Sequence, residues 1–348
     1  MIYKDNKYSA LYIHIPFCLK KCPYCDFHSY QINKPSKWSN IQQYIDYLHD
    51  QIKKQPPYKL QTIFLGGGTP SLLSNKQIIQ LFSRIYKHFK IAKNIEITIE
   101  INPETLLKNP SEKLGTYKEV GINRLSFGMQ SFDDNILKRL GRIHNSTTNY
   151  KAYSHALSAG FNNINIDLIF AIPSQTLSSW ENTLIKTIKL QPKHISIYNL
   201  TSKHGTLPVL QNQELDLKMY KSAIKILQKN NYQHYEISNF AKTGFQSQHN
   251  MTYWLNKPYL GLGDGASSSS LQNINDPAIT VIMGLRLLKK GISYSRFRKQ
   301  HNKDLLTLFD KKLQTLQEQS LLKKDKQKLL LTKKGLYIAN QVFEEFLV

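Results

Sequence analysis

The chain has 348 residues, with 47 lysines and arginines against 24 acidic residues, a formal net charge of +23. Hydrophobic residues make up 41% and aromatic residues 11%, enough apolar surface to exclude wholesale disorder, and the length predicts about two or three domains. The charge points to nucleic acid, to an anionic membrane, or to a plain solvated surface; with forty lysines to seven arginines, guanidinium forks for bases or phosphates are scarce, and the solvated surface is the simpler reading.

No run approaches the ~20 apolar residues that cross a bilayer. The segment from Met1 to Ala10 is polar and lacks the apolar core of a signal peptide, so a cytosolic (cytoplasmic) protein is expected. The first two-thirds of the chain alternates short β-branched runs with amphipathic stretches. Strands are predicted at 11–15, 62–65, 95–101, 123–127, 163–170 and 194–198, and helices at 41–53, 76–89 and 145–159 among the stretches between them. Repeated β-then-α units mean parallel strands joined by right-handed crossovers. Six units suit an incomplete (β/α)6 TIM-like barrel, an α/β fold, better than the eight of a closed barrel.

Past about residue 205 the pattern changes. A helix is predicted over 215–228, a strand over 232–237, a Gly-rich turn at Gly261–Gly265 and a polar run from Ser267 to Ser270. The tail reads as a helix over 305–317, a basic hairpin over 321–331, and a last helix N-capped by Thr332. Helix, hairpin and helix together resemble a winged-helix module. The expected division is 1–205 for the barrel, 206–276 for a connecting region and 277–348 for a C-terminal α+β domain. Hairpin lysines 323, 324, 326 and 328 form either a nucleic-acid contact or the solvated face of a packing domain.

The only cysteines are Cys18, Cys22 and Cys25, in His14-Ile-Pro-Phe-Cys-Leu-Lys-Lys-Cys-Pro-Tyr-Cys just after the first strand. An odd number within one loop makes a poor disulfide framework. Three soft ligands on one loop can hold three corners of a cubane iron–sulfur cluster, leaving the fourth iron open to a small molecule. The rival is zinc, with His14 or His28 completing a Cys3His set. The C-x3-C-x2-C loop resembles the radical S-adenosylmethionine superfamily. That resemblance implies a [4Fe–4S] cluster on Cys18, Cys22 and Cys25 whose open iron is chelated by S-adenosylmethionine, with one electron cleaving the sulfonium to a 5′-deoxyadenosyl radical.

Further polar groups fall near the ends of later strands: Gly66-Gly67-Gly68-Thr69-Pro70 after the second, Glu100 at the third, Gln130 after the fourth, Arg142 on the helix beyond and Asp167 in the fifth. Barrel sites are built at these strand ends. Each also has an ordinary reading, as a tight turn, a helix-cap partner, a surface ion pair or a satisfied barrel polar group. Asp167 is the most telling, because a carboxylate inside an apolar strand is costly without a partner.

These segments, with Tyr12–Cys25, Asn165–Thr176 and His249–Gly265, resemble the anaerobic coproporphyrinogen III oxidase family along essentially the whole chain. The resemblance implies that Tyr12, Tyr24, Gly67, Gly68, Thr69, Glu100, Gln130, Arg142 and Asp167 contact S-adenosylmethionine. Two departures matter: Phe27 stands where the oxidases carry a further cysteine, and only about ten residues precede the first strand. Both features are similar to the HemW-type haem chaperone branch, as is His249-Asn-Met-Thr-Tyr253-Trp254, an element associated there with haem binding. An imidazole is a good axial ligand for haem iron, so His249 is the candidate ligand; it can equally be a core or capping histidine. Ser267 stands where the family usually has a histidine, and Asp264 where a smaller residue is usual.

The resemblance therefore implies a carrier that binds haem and passes it to an acceptor protein, with a membrane respiratory enzyme as candidate acceptor and lysines aiding peripheral membrane contact. Whether the chain is also an enzyme stays open. The alternatives are radical oxidative decarboxylation of coproporphyrinogen III and, further off, radical modification of RNA.

Overall fold

The computed structural model describes residues 8–201, 212–269 and 271–347. The expected change of pattern at about residue 205 and the end of the polar run at Ser270 lie outside the described residues.

Nine strands form the main sheet: β1 (Ala10–Ile15), β2 (Lys59–Gly67), β3 (Lys90–Ile101), β4 (Arg124–Gln130), β5 (Ile164–Phe170), β6 (His194–Asn199), β7 (Gln233–His234), β8 (Asn239–Ala241) and β9 (Leu260–Leu262). β1 to β6 are neighbours in chain order and all parallel. The helices Ile41–Lys53, Asn75–His88, Pro110–Glu119, Ser146–Ser158, Leu177–Lys189 and Gln213–Lys229 follow the six strands in turn. These are the six βα units legible in the sequence, arranged as one run of six parallel strands with a helix after each.

The local reasons are ordinary ones. Helix Ile41–Lys53 starts where the Asn40 side chain accepts from the Gln43 N–H, and it buries Tyr44, Ile45, Leu48 and Ile52 along one stripe. Helix Asn75–His88 opens with a reciprocal capping box of Ser74 and Gln77 and buries Ile78, Leu81, Phe82 and Ile85. Each such side chain contributes about 1.5–3 kcal/mol of burial. Alternation along the strands then sorts the sheet's two faces. Leu11, Ile13, Ile63, Leu65, Ile99, Leu125 and Phe127 join the helices in one core. The intervening residues, Tyr12, Phe64, Glu100, Ser126, Asp167 and Ser196, line an internal cavity.

Three edge strands depart from expectation. Leu260–Leu262, overlapping the start of the turn read at Gly261–Gly265, pairs parallel to β1 with Leu11 against Leu260; the turn begins only at Gly263, where φ is 107°. The strand expected over 232–237 is confined to Gln233–His234. The Glu236 carboxylate accepts from the Ser238 N–H and the Asn239 amide, turning the chain so that it re-enters as β8, antiparallel to β6.

In the C-terminal part the basic hairpin forms, Leu322–Lys324 against Lys328–Leu331, and Ile292–Ser293 adds an unforeseen third strand. The helix expected over 305–317 is two, Leu305–Leu308 and Asp310–Glu318. The last helix is N-capped by Thr332 as expected but breaks at Ile338. A second core of Val281, Leu285, Phe297, Leu313, Leu329 and Val342 lies under these elements. Among the described residues no helix is long and apolar enough to cross a membrane.

Candidate cofactor site

One cavity of about 590 Å³ opens at the C-terminal ends of the strands and runs down into the barrel. All thirteen candidate residues line it: Cys18, Cys22, Cys25, Tyr12, Tyr24, Gly67, Gly68, Thr69, Glu100, Gln130, Arg142, Asp167 and His249.

Cys18 ends the first strand of a short two-stranded ladder, Phe17–Cys18 with Tyr30–Gln31, and Cys22 and Cys25 sit on the loop that joins its two strands. A turn closed by the Cys25 N–H donating to the Cys22 carbonyl (3.1 Å) sets two of them on one bend. Thr69 Oγ1 lies 3.6 Å from Cys18 Sγ, and Arg142 Nη1 lies 3.6 Å from Cys22 Sγ. All three cysteines are free thiols. Burial pushes the Cys18 and Cys25 thiols up, so as thiolates they need a cationic partner such as a metal. The two imidazoles weighed for a zinc site are engaged elsewhere. His14 holds the Tyr12 hydroxyl and the His28 carbonyl oxygen, both at 2.8 Å, and His28 pairs with Asp264 at 3.1 Å.

Asp264 is a hub. It accepts from Tyr30 Oη and Trp38 Nε1 and pairs with Lys37, tying the Gly-rich loop to the cysteine loop. Burial alone would raise its carboxyl, but Lys37, His28, Tyr30 and Trp38 hold it well below the ordinary carboxylate range. Ser267, also questioned as a haem contact, is exposed.

Opposite the thiols lies a pair of carboxylates. Glu100 accepts from the Gly67 N–H at 3.0 Å. Asp167 accepts from Ser126 Oγ at 3.0 Å and Asn165 Nδ2 at 2.9 Å. Burial, reinforced by the Asp167 charge, pushes Glu100 up to about 8. Burial also raises Asp167, although the hydrogen bonds from Asn165, Ser126 and Ser196 oppose it. Two half-buried carboxylates lining one cavity make a site for a cation or for sugar hydroxyls. The glycines make room beside them. Gly67 has φ 114°, and a Cβ there would meet the His14 ring at 2.6 Å; one on Gly68 would meet the Phe17 carbonyl at 2.8 Å and Cys18 Sγ at 3.0 Å.

Gln130 ends β4 in a left-handed conformation (φ 64°) just past a register shift in the β4–β5 pairing, where it is paired with Leu168 and lines the pocket. Arg142 is not on a helix: it occupies the turn between helices Asp134–Arg139 and Ser146–Ser158. Its Nη2 donates to Asn102 Oδ1 (2.8 Å) and to the Gly128 carbonyl (3.0 Å), while its buried Nε has no partner. The neighbouring His144–Glu104 contact, 2.9 Å, locks that turn to the end of β3.

Helix Gln248–Trp254 closes the floor, its first N–H groups donating to Glu96. His249 is fully buried. Its Nδ1 is 2.8 Å from Thr62 Oγ1 and its Nε2 2.7 Å from the Tyr253 hydroxyl, with Phe64 packed against the ring. Burial, with the nearby Arg124 charge, lowers it to about 3, so the ring is neutral. Both ring nitrogens are therefore in use, which spacing alone does not reveal.

The Radical SAM superfamily profile matches residues 12–186, and the HemN C-terminal domain profile matches residues 274–338. A protein of Bacillus subtilis (strain 168) named "Heme chaperone HemW" is 33% identical, with 97% of this chain and 99% of that protein covered. The chain belongs to the radical S-adenosylmethionine superfamily and, within it, to the HemW family. A second relative of the same name, from Escherichia coli (strain K12), is 37% identical over 74% of this chain and 69% of its own. The solved structure described as coproporphyrinogen III oxidase (HemN) from Escherichia coli, a radical SAM enzyme, superposes with a TM-score of 0.79 at 22% identity, covering 98% of this chain and 90% of that one. At that identity the likeness concerns the fold.

Sequence reasoning missed several lining residues: Arg124, Asn102, Ser126, Asn165, Ser196 and Tyr198. For Ser126, Asn165 and Ser196 the signal was present as polar positions alternating with apolar ones inside strands.

Proposed function

We propose that the protein is a haem chaperone that carries a [4Fe–4S] cluster on Cys18, Cys22 and Cys25 with exchangeable S-adenosylmethionine, binds haem, and delivers it to an acceptor protein, with a membrane respiratory enzyme as the candidate. The observation that carries this reading is the continuity of one cavity from the three thiols, past the carboxylate pair, to the 249–254 helix. When bound, the cluster supplies an electron at low potential. Arg142 balances the Cys22 thiolate, Glu100 and Asp167 face the ligand's cationic groups or ribose hydroxyls, and the Gly67–Gly68 backbone leaves room for it. Phe27, 67% exposed at the mouth, offers an apolar face where a fourth thiol would otherwise stand.

Anaerobic reconstitution with iron counted, followed by haem titration, tests the reading. A Soret shift that saturates at one haem per chain supports it; no shift in cluster-loaded protein refutes it, and turnover of coproporphyrinogen III in the same sample would favour the oxidase alternative. His249 can reach iron only if Tyr253 releases Nε2. Tyr253→Phe is therefore expected to bind haem at least as tightly as wild type, and His249→Ala to lose the shift. Haem binding by His249→Ala equal to wild type rules out the ligand role.

Glu100 adds a pH signature. Its carboxyl keeps its proton to about pH 8, whereas the ordinary value is 4.5. In the ligand-free protein this shift makes the fold lose stability as pH rises from the ordinary glutamate range towards 8. A cationic ligand drives the proton off, so affinity for S-adenosylmethionine should climb between pH 6 and 8, approaching roughly tenfold per unit at the low end. Calorimetry at pH 7 in buffers of different ionisation enthalpy should show close to one proton released. Glu100→Gln should weaken binding and abolish the release; an unchanged release would assign it to another group.

A further inference from the structure

Arg124 stands at the start of β4 and is only 2% exposed, yet it lines the cavity. It points inward like Ser126 and Gly128, because alternate residues share a face. The register sets it beside Thr98, one inward-facing step below the Glu100–Ser126 pair. Its charge reaches Glu100, Asp167 and His249. Its Nε is nevertheless buried with no hydrogen-bond partner, and so is the hydroxyl of the adjacent Thr98. A guanidinium taken out of water and left with an unmade hydrogen bond is expensive unless a ligand completes it.

We propose that Arg124 anchors a carboxylate of the ligand that enters the lower cavity, and that this carboxylate is a propionate of the porphyrin. The second clause rests on the haem reading above. A planar guanidinium fork, its Nε without a partner, matches a carboxylate in two parallel hydrogen bonds. Glu100 and Asp167, a step above, disfavour a doubly charged phosphate. His249, Asn250 and Tyr253 line the same cavity, so one ligand can meet the floor helix and Arg124 together. The other source of a carboxylate is S-adenosylmethionine itself, which the experiment separates.

The test titrates cluster-loaded, full-length protein with iron protoporphyrin IX and with its dimethyl ester, followed by the Soret band. Wild type should bind the free acid roughly tenfold tighter than the ester, the worth of a charge-assisted pair. Arg124→Gln should weaken the acid to the level of the ester and leave the ester unchanged, while Arg124→Lys keeps part of the preference. Equal affinities for acid and ester in wild type overturn the proposal without any variant, so a variant that fails to fold does not shelter it. A preference that survives in folded Arg124→Gln also overturns it, by moving the carboxylate contact to surface lysines. If Arg124→Gln weakens S-adenosylmethionine while the acid-over-ester ratio stands, the porphyrin assignment is wrong. If wild type binds neither porphyrin, the haem reading falls, and the anchor with it.

Discussion

Cys22→Ser is expected to fold normally and to lose its iron. Cys22 is partly exposed, its backbone carbonyl keeps the turn bond to Cys25 whatever the side chain, and its thiol packs against Arg142 Nη1. Exchanging sulfur for oxygen there should change the stability of the metal-free protein by no more than about 0.5 kcal/mol. The effect on metal should be nearly complete. A serine hydroxyl is a hard ligand that stays protonated at neutral pH, whereas a cubane needs soft thiolates. Iron per chain after anaerobic reconstitution should fall from about four in wild type to a small fraction of that, with S-adenosylmethionine binding falling alongside. Unchanged thermal unfolding of the metal-free variant keeps the result a statement about ligation. Full iron loading of Cys22→Ser would mean that the three thiols are not the cluster's ligands.

The largest stability loss is expected from Arg286→Ala. Arg286 donates to the fully buried Glu236 at 3.2 Å and lies 4.1 Å over the Trp254 ring. It thereby joins helix Pro277–Leu285 to the bend before β8 and to the floor helix. Glu236 also accepts from Ser238 and Asn239, but these neutral donors do not balance its charge. Burial already raises its carboxyl, with Arg286 opposing. Removing one partner of a buried pair typically costs about 3–5 kcal/mol. The deficit should widen as pH rises, because a carboxyl whose folded value is raised holds its proton longer in the fold than in the unfolded chain. Glu236→Gln should cost less, since Arg286 has some access to water, and Glu236→Gln with Arg286→Met should recover much of the loss. Urea unfolding of the four proteins checks this; a loss below about 0.5 kcal/mol for Arg286→Ala would show the pair to be an ordinary surface contact.

The features legible in the sequence are local. Spacing within eight residues defines the cysteine loop, period-2 and period-3.6 patterns define the six units, and Gly66–Gly68 announces a backbone that must pass close to other atoms. Even so, Leu260–Leu262 was hidden between glycines, because a three-residue strand at an edge is selected by its partner rather than by its own composition.

What only the tertiary structure decides lies in pairs far apart in the chain. His249 meets Thr62 across 187 positions, and Asp264 meets Tyr30 across 234. The motif at 249–254 marks a histidine beside aromatics, but only the folded barrel puts that histidine on the floor, neutral, with Tyr253 on its second nitrogen. Arg124 carries no motif signal, being one arginine in a short apolar strand. Its unmade hydrogen bond exists because six strands bring their inward faces round one cavity and exclude water from it. Spacing along the chain can specify which atoms are able to bind a cofactor; which of their hydrogen bonds are already taken depends on neighbours that only long-range packing supplies.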